Sequence, residues 1–366
     1  MVNRRRLMRA VPGPCLVLSL AGSVLTGCET SSLQPIILRS GKLAPGDRGS
    51  MTETHDFVLE KNGIASTFVW VPAYRAYQLI NPTKCGYMGQ PEGVWVSSQP
   101  IYGKKDVDWA VETFGGFYAG KYEASRADAE PGDRRTGEGA TEGTSDHLKV
   151  ASYSVPWTGV TWDKAVSTCA AYDPACHLMT DDEWTALAVW SMIQGVSVHG
   201  NSGEDKATYD RNILFQRAGS SAIALTGSAS KTGWPSSVNL TTHSGTTGGV
   251  HDLNGNVGEW TATLGSRLNS NRYLVNGIET GTLFPGDGWV VNLCTDRELR
   301  RYGVPGITRT ADQSLSTLPF FGDYLVLNTG NSTSAIRGSS GIWGISLILA
   351  KEDMSEMTGF RPSLRY

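Results

Sequence analysis

Two carboxylates stand on either side of a sharp turn in the stretch His251-Asp252-Leu253-Asn254-Gly255-Asn256-Val257-Gly258-Glu259-Trp260. Gly255 enters the left-handed backbone region freely and its Asn neighbours tolerate it better than most residues, so the chain can reverse there. Asp252 and Glu259 bracket that reversal with hard oxygen atoms. The bracket is either a metal-stabilised corner or an acidic loop. Other chemistry is thinly supplied. His55, His147, His177, His199, His243 and His251 are spread singly with no short-range pair at metal-ligand spacing, and each reads as a surface or loop residue. No G-x-S-x-G leads from a strand pattern into a helix with convincing partners, so no nucleophile elbow is marked.

Thiol chemistry is the remaining option. Cys15 and Cys28 belong to the N-terminal segment, leaving Cys85, Cys169, Cys176 and Cys294. None has the paired spacing of a zinc site. An exported chain can oxidise them. Cys169 and Cys176 are near enough to close a small loop, with Cys85 then free to meet Cys294, but four cysteines allow three pairings and the sequence does not choose.

The elements that must position these residues are legible in part. Phe57-Val58-Leu59 and Thr67 to Pro72 read as strands flanking a turn at Asn62-Gly63. Gly93 to Ser97 and Gly116 to Glu123 are further strand candidates, and Arg126 to Ser145 is a polar exposed loop. Trp162, Ala165, Val166 and Cys169 recur at helical spacing until Asp173-Pro174 stops them. A second helix opens at Thr180 as N-cap, with Glu183 completing a capping box. From Ile193 to Gly249 small and hydroxylated residues dominate, and irregular chain of that length inside a domain needs a special stabiliser. Trp234 and Trp260 read as core fillers.

The turn motif resembles the D-x-x-G-N-x-W-E-W signature of the formylglycine-generating (sulfatase-modifying factor) family, with Gly258 where that family usually has Trp. His177 to Trp184 is similar to its R-L-P-T-E-x-E-W element, and Ala335-Ile336-Arg337-Gly338 and Gly359-Phe360-Arg361 to its R-G-G and G-F-R elements. These motifs fall in the family's order across residues from about Phe57 to Arg361. The resemblance implies an α+β, C-type lectin-like fold with much irregular loop over residues 56–366. It also implies a structural Ca²⁺, held by the side chains of Asp252 and Glu259 and the carbonyls of Gly255 and Val257, an oxygen donor set that suits calcium rather than zinc. It does not extend to catalysis: the family's oxidase uses a cysteine pair near the chain end to hold copper, and no cysteine lies between Arg337 and Arg361. The expectation is a protein that is not an enzyme and has no catalytic cofactor.

Composition and address fit a displayed protein. Charged residues are only 18% and Gly numbers 43, which favours ordered loops over long solvated helices, and a net charge of -3 leaves no footprint for nucleic acid. Arg4, Arg5, Arg6 and Arg9 precede a short apolar run, Cys15 to Val24, too short to span a bilayer. Leu25-Thr26-Gly27-Cys28 then resembles a bacterial lipobox. That implies removal of residues 1–27, lipid on Cys28, a tether over residues 28–55, and an exported lipoprotein anchored to a bacterial membrane, expected at the cell surface.

The apolar run Gly341 to Ala350 is followed by Lys351 to Thr358. Alternate residues of such a strand point outward, and an exposed surface carrying Trp343, Ile348, Leu349, Met354 and Met357 would mark an interaction site. The arrangement resembles the variable proteins of diversity-generating retroelements, which use the same lectin-like fold and diversify ligand-facing positions shortly before a terminal G-F-R. The resemblance implies a variable, ligand-binding region at 335–361. Its framework would be Gly341, Ile342, Trp343, Leu347 and Ala350. A protein or other macromolecular ligand would meet Ser339, Ser340, Trp343, Ser346, Ile348, Leu349, Asp353, Ser355, Glu356 and Met357.

Overall fold

The computed structural model describes residues 36–38, 55–61, 63–75, 113–129, 148–193, 196, 198–201, 213–218, 222–229, 241–269, 272–275, 278–279, 289–292, 324–327, 333–339, 341–347 and 349–365. All of them belong to one compact unit, residues 34–366. Its class is α+β, with several sheets and, among the described residues, two helices.

A six-stranded sheet runs in the order β1 (Ile36–Leu38), β2 (His55–Lys61), β3 (Ile64–Val71), β6 (Phe117–Gly120), β18 (Pro362–Leu364), β9 (Cys176–Leu178). β2 and β3 form the expected hairpin, with Phe57 opposite Phe68 and a left-handed Gly63 at the turn. β1 lies in the stretch expected as tether; it pairs parallel with β2, Ile36 beside Phe57, and so shortens the span free to act as one. The C-terminal β18 is antiparallel to both β6 and β9, which seats the end of the chain inside the sheet built by its beginning. The Gly93 to Ser97 candidate lies outside the described residues.

The larger, eight-stranded sheet follows the order β12 (Ile278–Glu279), β11 (Arg272–Val275), β10 (Gly258–Asn269), β15 (Thr333–Gly338), β16 (Gly341–Leu347), β14 (Tyr324–Leu327), β13 (Trp289–Asn292). β17 (Thr358–Phe360) joins it by pairing parallel with β10. β17 and β18 are separated by Arg361 alone, so this residue is the step from one sheet to the other. Two small ribbons complete the strands: β4 (Tyr74–Arg75) with β5 (Thr113–Phe114), and β7 (Ser125–Arg126) with β8 (Leu148–Lys149).

Helix α1 (Trp162–Tyr172) starts where Thr161 accepts the Lys164 amide and buries Ala165, Thr168, Cys169 and Tyr172. Helix α2 (Asp181–Ile193) has the reciprocal cap read from its sequence: the Glu183 amide donates to Thr180 Oγ1 (3.2 Å) and the Thr180 amide to Glu183 Oε2 (3.0 Å). Two of the helix's orphan donors are thereby satisfied. The main core joins both sheets and α1 through Phe57, Phe68, Tyr118, Trp157, Tyr172, Trp260 and Phe360. Phe57 and Tyr118 rings are 4.9 Å apart, Trp157 and Phe360 5.7 Å, both tilted as aromatic quadrupoles prefer. Trp260 is fully buried, its indole donating to Val160 O at 2.9 Å, as a core filler should. Trp234 is outside the described residues.

Arg126 departs from the expected exposed loop. It is buried on β7, 5.9 Å over the Trp157 ring, because β7 pairs with β8 before the polar stretch begins. Thr180→Ala should lower stability by about 1 kcal/mol, since one cap acceptor is lost; urea denaturation reads this directly, and Thr180→Ser should recover most of it.

Candidate functional site

The turn at 252–257 is a polar hub. Asp252, Gly255 and Asn256 all take positive φ, at 59°, 78° and 64°. Glycine is required at 255, where a Cβ would sit 2.2 Å from the Asn201 carbonyl oxygen. Asp252, Asn254 and Asn256 each tie down a piece of the irregular middle of the chain. Asp252 Oδ2 accepts the Gly227 amide at 2.7 Å, and Asn254 Nδ2 donates to Val198 O at 2.7 Å. Asn256 Oδ1 accepts the Ala224 amide (2.7 Å) and Asn201 Nδ2 (3.1 Å), while its Nδ2 donates to Glu123 Oε2 (2.7 Å) and Ala224 O (3.2 Å). The amide of Asn256 is thus fully used. Gly255 N–H donates to Gly338 O at 2.8 Å, linking the hub to β15.

Beside the hub, Arg361 grips Glu259 with a two-pronged fork. Nε donates to Oε2 at 2.9 Å, Nη2 donates to Oε1, and Nη1 donates to Gly120 O at 3.0 Å. Both residues are buried, at 0% and 1% exposure, so the pair is screened little by water. Asp252 and Glu123 lie in the same electrostatic neighbourhood, giving three carboxyls to one guanidinium. Burial, with the charges of Asp252 and Glu259, pushes the Glu123 carboxyl well above the usual carboxylate range. Burial also raises Asp252, to about 6, against the pull of the Gly227 amide and Arg361. Although burial opposes it, the Glu259 charge raises Arg361, which stays protonated.

That geometry bears on calcium. Both Glu259 oxygens face Arg361, one Asp252 oxygen faces the Gly227 amide, and the Val257 amide donates to Glu123 at 3.3 Å. Among the described residues, no three His, Cys, Asp or Glu side chains come together to hold a metal. Both Glu259 oxygens are thus committed to Arg361, so the expected donor set of Asp252, Gly255, Val257 and Glu259 would take a cation only with that fork opened. Position 258 also has a local cause for its glycine, since a Cβ would lie 2.7 Å from Ile336 Cγ2 on β15.

Of the histidines expected at the surface or in loops, His243 and His251 lie in loop segments but not at the surface. His243 and His251 are buried, not exposed, and burial lowers each to about 3, so both are neutral. His243 Nδ1 accepts the Val250 amide at 2.9 Å. His177 is half-exposed and bonds Glu183 Oε1 at 2.9 Å, where Arg365 also donates to Glu183 at 2.7 Å. A second buried pair joins Arg337 on β15 to Asp181 at the first turn of α2.

The expected ligand-facing residues separate into groups. Ser339, Asp353, Glu356 and Met357 are exposed and Ser355 is half-exposed. Ser346 is buried at 6%, because its register opposite Ile336 and beside Val326 places it inside the sheet; it is not ligand-facing. Leu349 is partly buried against the main core, so it belongs to the framework. Trp343 lies on β16, and Ser340 and Ile348 are outside the described residues, as are Cys28, Cys85 and Cys294. Sequence reasoning missed Glu123, Asn201 and the pairing of Arg361 with Glu259; the G-F-R and G-E-W motifs supplied the two ends of that pair but no sign that they meet.

What remains accessible is a loop at 351–357 with a fixed backbone and exposed side chains at Glu352, Met354, Glu356 and Met357. The Trp162 amide donates to Lys351 O (3.0 Å), Gly159 N–H to Ser355 O (2.9 Å) and Gly258 N–H to Met357 O (2.8 Å). Asp353 Oδ2 accepts the Ala350 amide at 2.8 Å and Ser355 Oγ the Met357 amide at 3.1 Å, so these two side chains shape the loop from within. Met354 is 55% exposed and Met357 48%, unusual for side chains of this size and polarity.

No protein-family model and no curated protein matches the chain. Among solved structures, the Major Tropism Determinant U1 Variant aligns with 74% of this chain and 62% of its own, at 9% identity and a TM-score of 0.28. This chain thus spans less than two thirds of that protein, and a likeness so slight assigns neither fold family nor function.

The hub makes a pH prediction. Asp252 rises from 3.8 to about 6 on folding, so its contribution is complete below about pH 4 and is lost as pH climbs through 6. His243 and His251 run the other way: lowered from 6.5 to about 3, they favour the folded state above 6.5 and cost stability as pH falls. A difference measurement separates the two. The reference is Asp252→Asn, which keeps an acceptor and tolerates the left-handed backbone. Relative to it, the wild type should lose about 2 kcal/mol between pH 4 and pH 7, most of the free energy by which the fold favours the protonated carboxyl. Parallel urea curves for the two proteins across that range check it.

Proposed function

We propose that this protein is a non-catalytic, ligand-binding surface protein that offers the loop at 351–357, together with Ser339, to a protein or other macromolecular partner. The observation that carries this reading is the loop's construction: main-chain carbonyls hold it, and Glu352, Met354, Glu356 and Met357 stay exposed. Main-chain anchoring is indifferent to side-chain identity, so the loop can change its recognition chemistry at these four positions without losing the shape that Asp353 and Ser355 also help to set. Exposed methionines suit recognition because the flexible, polarisable thioether adapts to a partner's contour.

The finer reading is a C-type lectin-like fold of the formylglycine-generating type, used as diversity-generating retroelement variable proteins use it, with a lipid on Cys28 anchoring it to a bacterial membrane. Support comes from the motif order, from the C-terminal strand lying within the N-terminal sheet, and from the lipobox-like Leu25 to Cys28. The missing terminal cysteine pair supports a non-catalytic role.

Two measurements test this. In a display library, substitutions at 352, 354, 356 and 357 should leave protease resistance within about 0.5 kcal/mol of the parent. Substitutions at Gly359, Phe360 and Arg361 should abolish it; equal intolerance in the loop would overturn the reading. The gene neighbourhood should contain a reverse transcriptase and a near-repeat of the codons for Ala335 to Arg361, and absence of both removes the diversification claim while leaving binding to stand. For the metal, EGTA should leave the melting temperature unchanged. A calcium-dependent rise lost in Asp252→Ala would instead show that the Arg361 fork opens to admit the ion.

A further inference from the structure

We propose that Cys169 and Cys176 form a redox pair that closes as a disulfide, stapling α1 to β9 and, through β9, to the C-terminal strand β18. The backbone brings the two together. After α1 ends at Tyr172, Asp173 Oδ1 accepts the Ala175 amide (2.9 Å) and Asp173 O accepts the Cys176 amide (2.8 Å), a tight reversal that turns β9 back along the helix. Both cysteines are buried thiols in the same core cluster, and each thiol is within hydrogen-bonding reach of the other. β9 is the edge of the six-stranded sheet, held by Leu364 opposite Cys176 and Pro362 opposite Leu178.

The chemistry is thiol–disulfide exchange with a small-molecule disulfide. One cysteine thiolate attacks a sulfur of that disulfide, breaking its S–S bond and releasing one small thiolate. The other then attacks the mixed disulfide, forming the Cys169–Cys176 bond and expelling the second. Two electrons pass to the small disulfide, and the two protons shed by the cysteines end on the released thiols. Burial, then the neighbouring Cys169 thiol, raises the Cys176 thiol well above its ordinary value, and at 0% and 5% exposure neither sulfur meets a reagent in the folded protein. Exchange therefore belongs to folding, before α1 and β9 close on each other.

The full chain, reduced and unfolded, is refolded in a reduced and oxidised glutathione buffer, alkylated and digested with trypsin. Both cysteines fall in the peptide 165–206, and the acid-labile Asp173–Pro174 bond lies between them. The expected product carries no alkyl group, is lighter by two hydrogens, and stays in one piece after acid cleavage until a reductant is added. Alkylation of both thiols, or linkage of either to Cys85 or Cys294, overturns the proposal. Reduction should also lower the melting temperature by several degrees in the wild type but not in the Cys169→Ala, Cys176→Ala double variant. An equal drop in both proteins overturns it as well.

Discussion

The buried pair between Arg361 and Glu259 is the constraint on which the rest of this structure depends. Arg361 is the only residue between β17 and β18, so its position decides how one sheet hands the chain to the other. Its fork accepts a planar carboxylate in one geometry, and that geometry aligns Gly359 with Glu259 and Phe360 with Trp260 in the parallel pairing of β17 and β10. A buried ion pair contributes little net stability over a well-packed apolar substitute, yet removing one partner strands the other at a cost of about 3–5 kcal/mol. The pair therefore acts less as glue than as a register pin.

The same charge explains the hub beside it. Long irregular chain inside a domain must find partners for its backbone groups, and here the turn at 252–257 supplies them to Val198, Asn201, Ala224 and Gly227. Such a concentration of polar acceptors would be costly unless their charge were answered. Arg361 answers one carboxylate, and Glu123 is driven toward its neutral form. The cation that faces Glu259 is thereby covalently part of the chain.

Local signals were readable from the sequence and distant pairings were not. The cap between Thr180 and Glu183, the left-handed positions at Gly255 and Asn256, the hairpin at Gly63 and the burial of Trp260 all follow from neighbours within a few residues. Arg361 and Glu259 are 102 residues apart, and nothing local to either states that they meet. Burial of Arg126, His243 and His251 was hidden for the same reason, since polar residues read as exposed until a partner or a closed sheet is known. Ser346 failed differently. A run that alternates loosely gives no firm inward face, and only pairing on both sides of β16 fixed which way it points.

The loop at 351–357 shows why a pinned frame and a free surface belong together. Its last carbonyl, on Met357, accepts the amide of Gly258, the residue before Glu259, and Arg361 follows four residues later. The loop thus leaves the frame beside the most tightly specified contact in the core. Small side chains at the exit are part of the arrangement: Gly359 lies so close to the Trp157 backbone that a Cβ would approach its carbonyl oxygen to 2.9 Å. Strain introduced by a new side chain at Met354 or Glu356 meets solvent on one side and main-chain hydrogen bonds on the other. Both side chains are exposed while Arg361 and Glu259 are buried, and that separation is what a recognition surface requires of the scaffold that carries it.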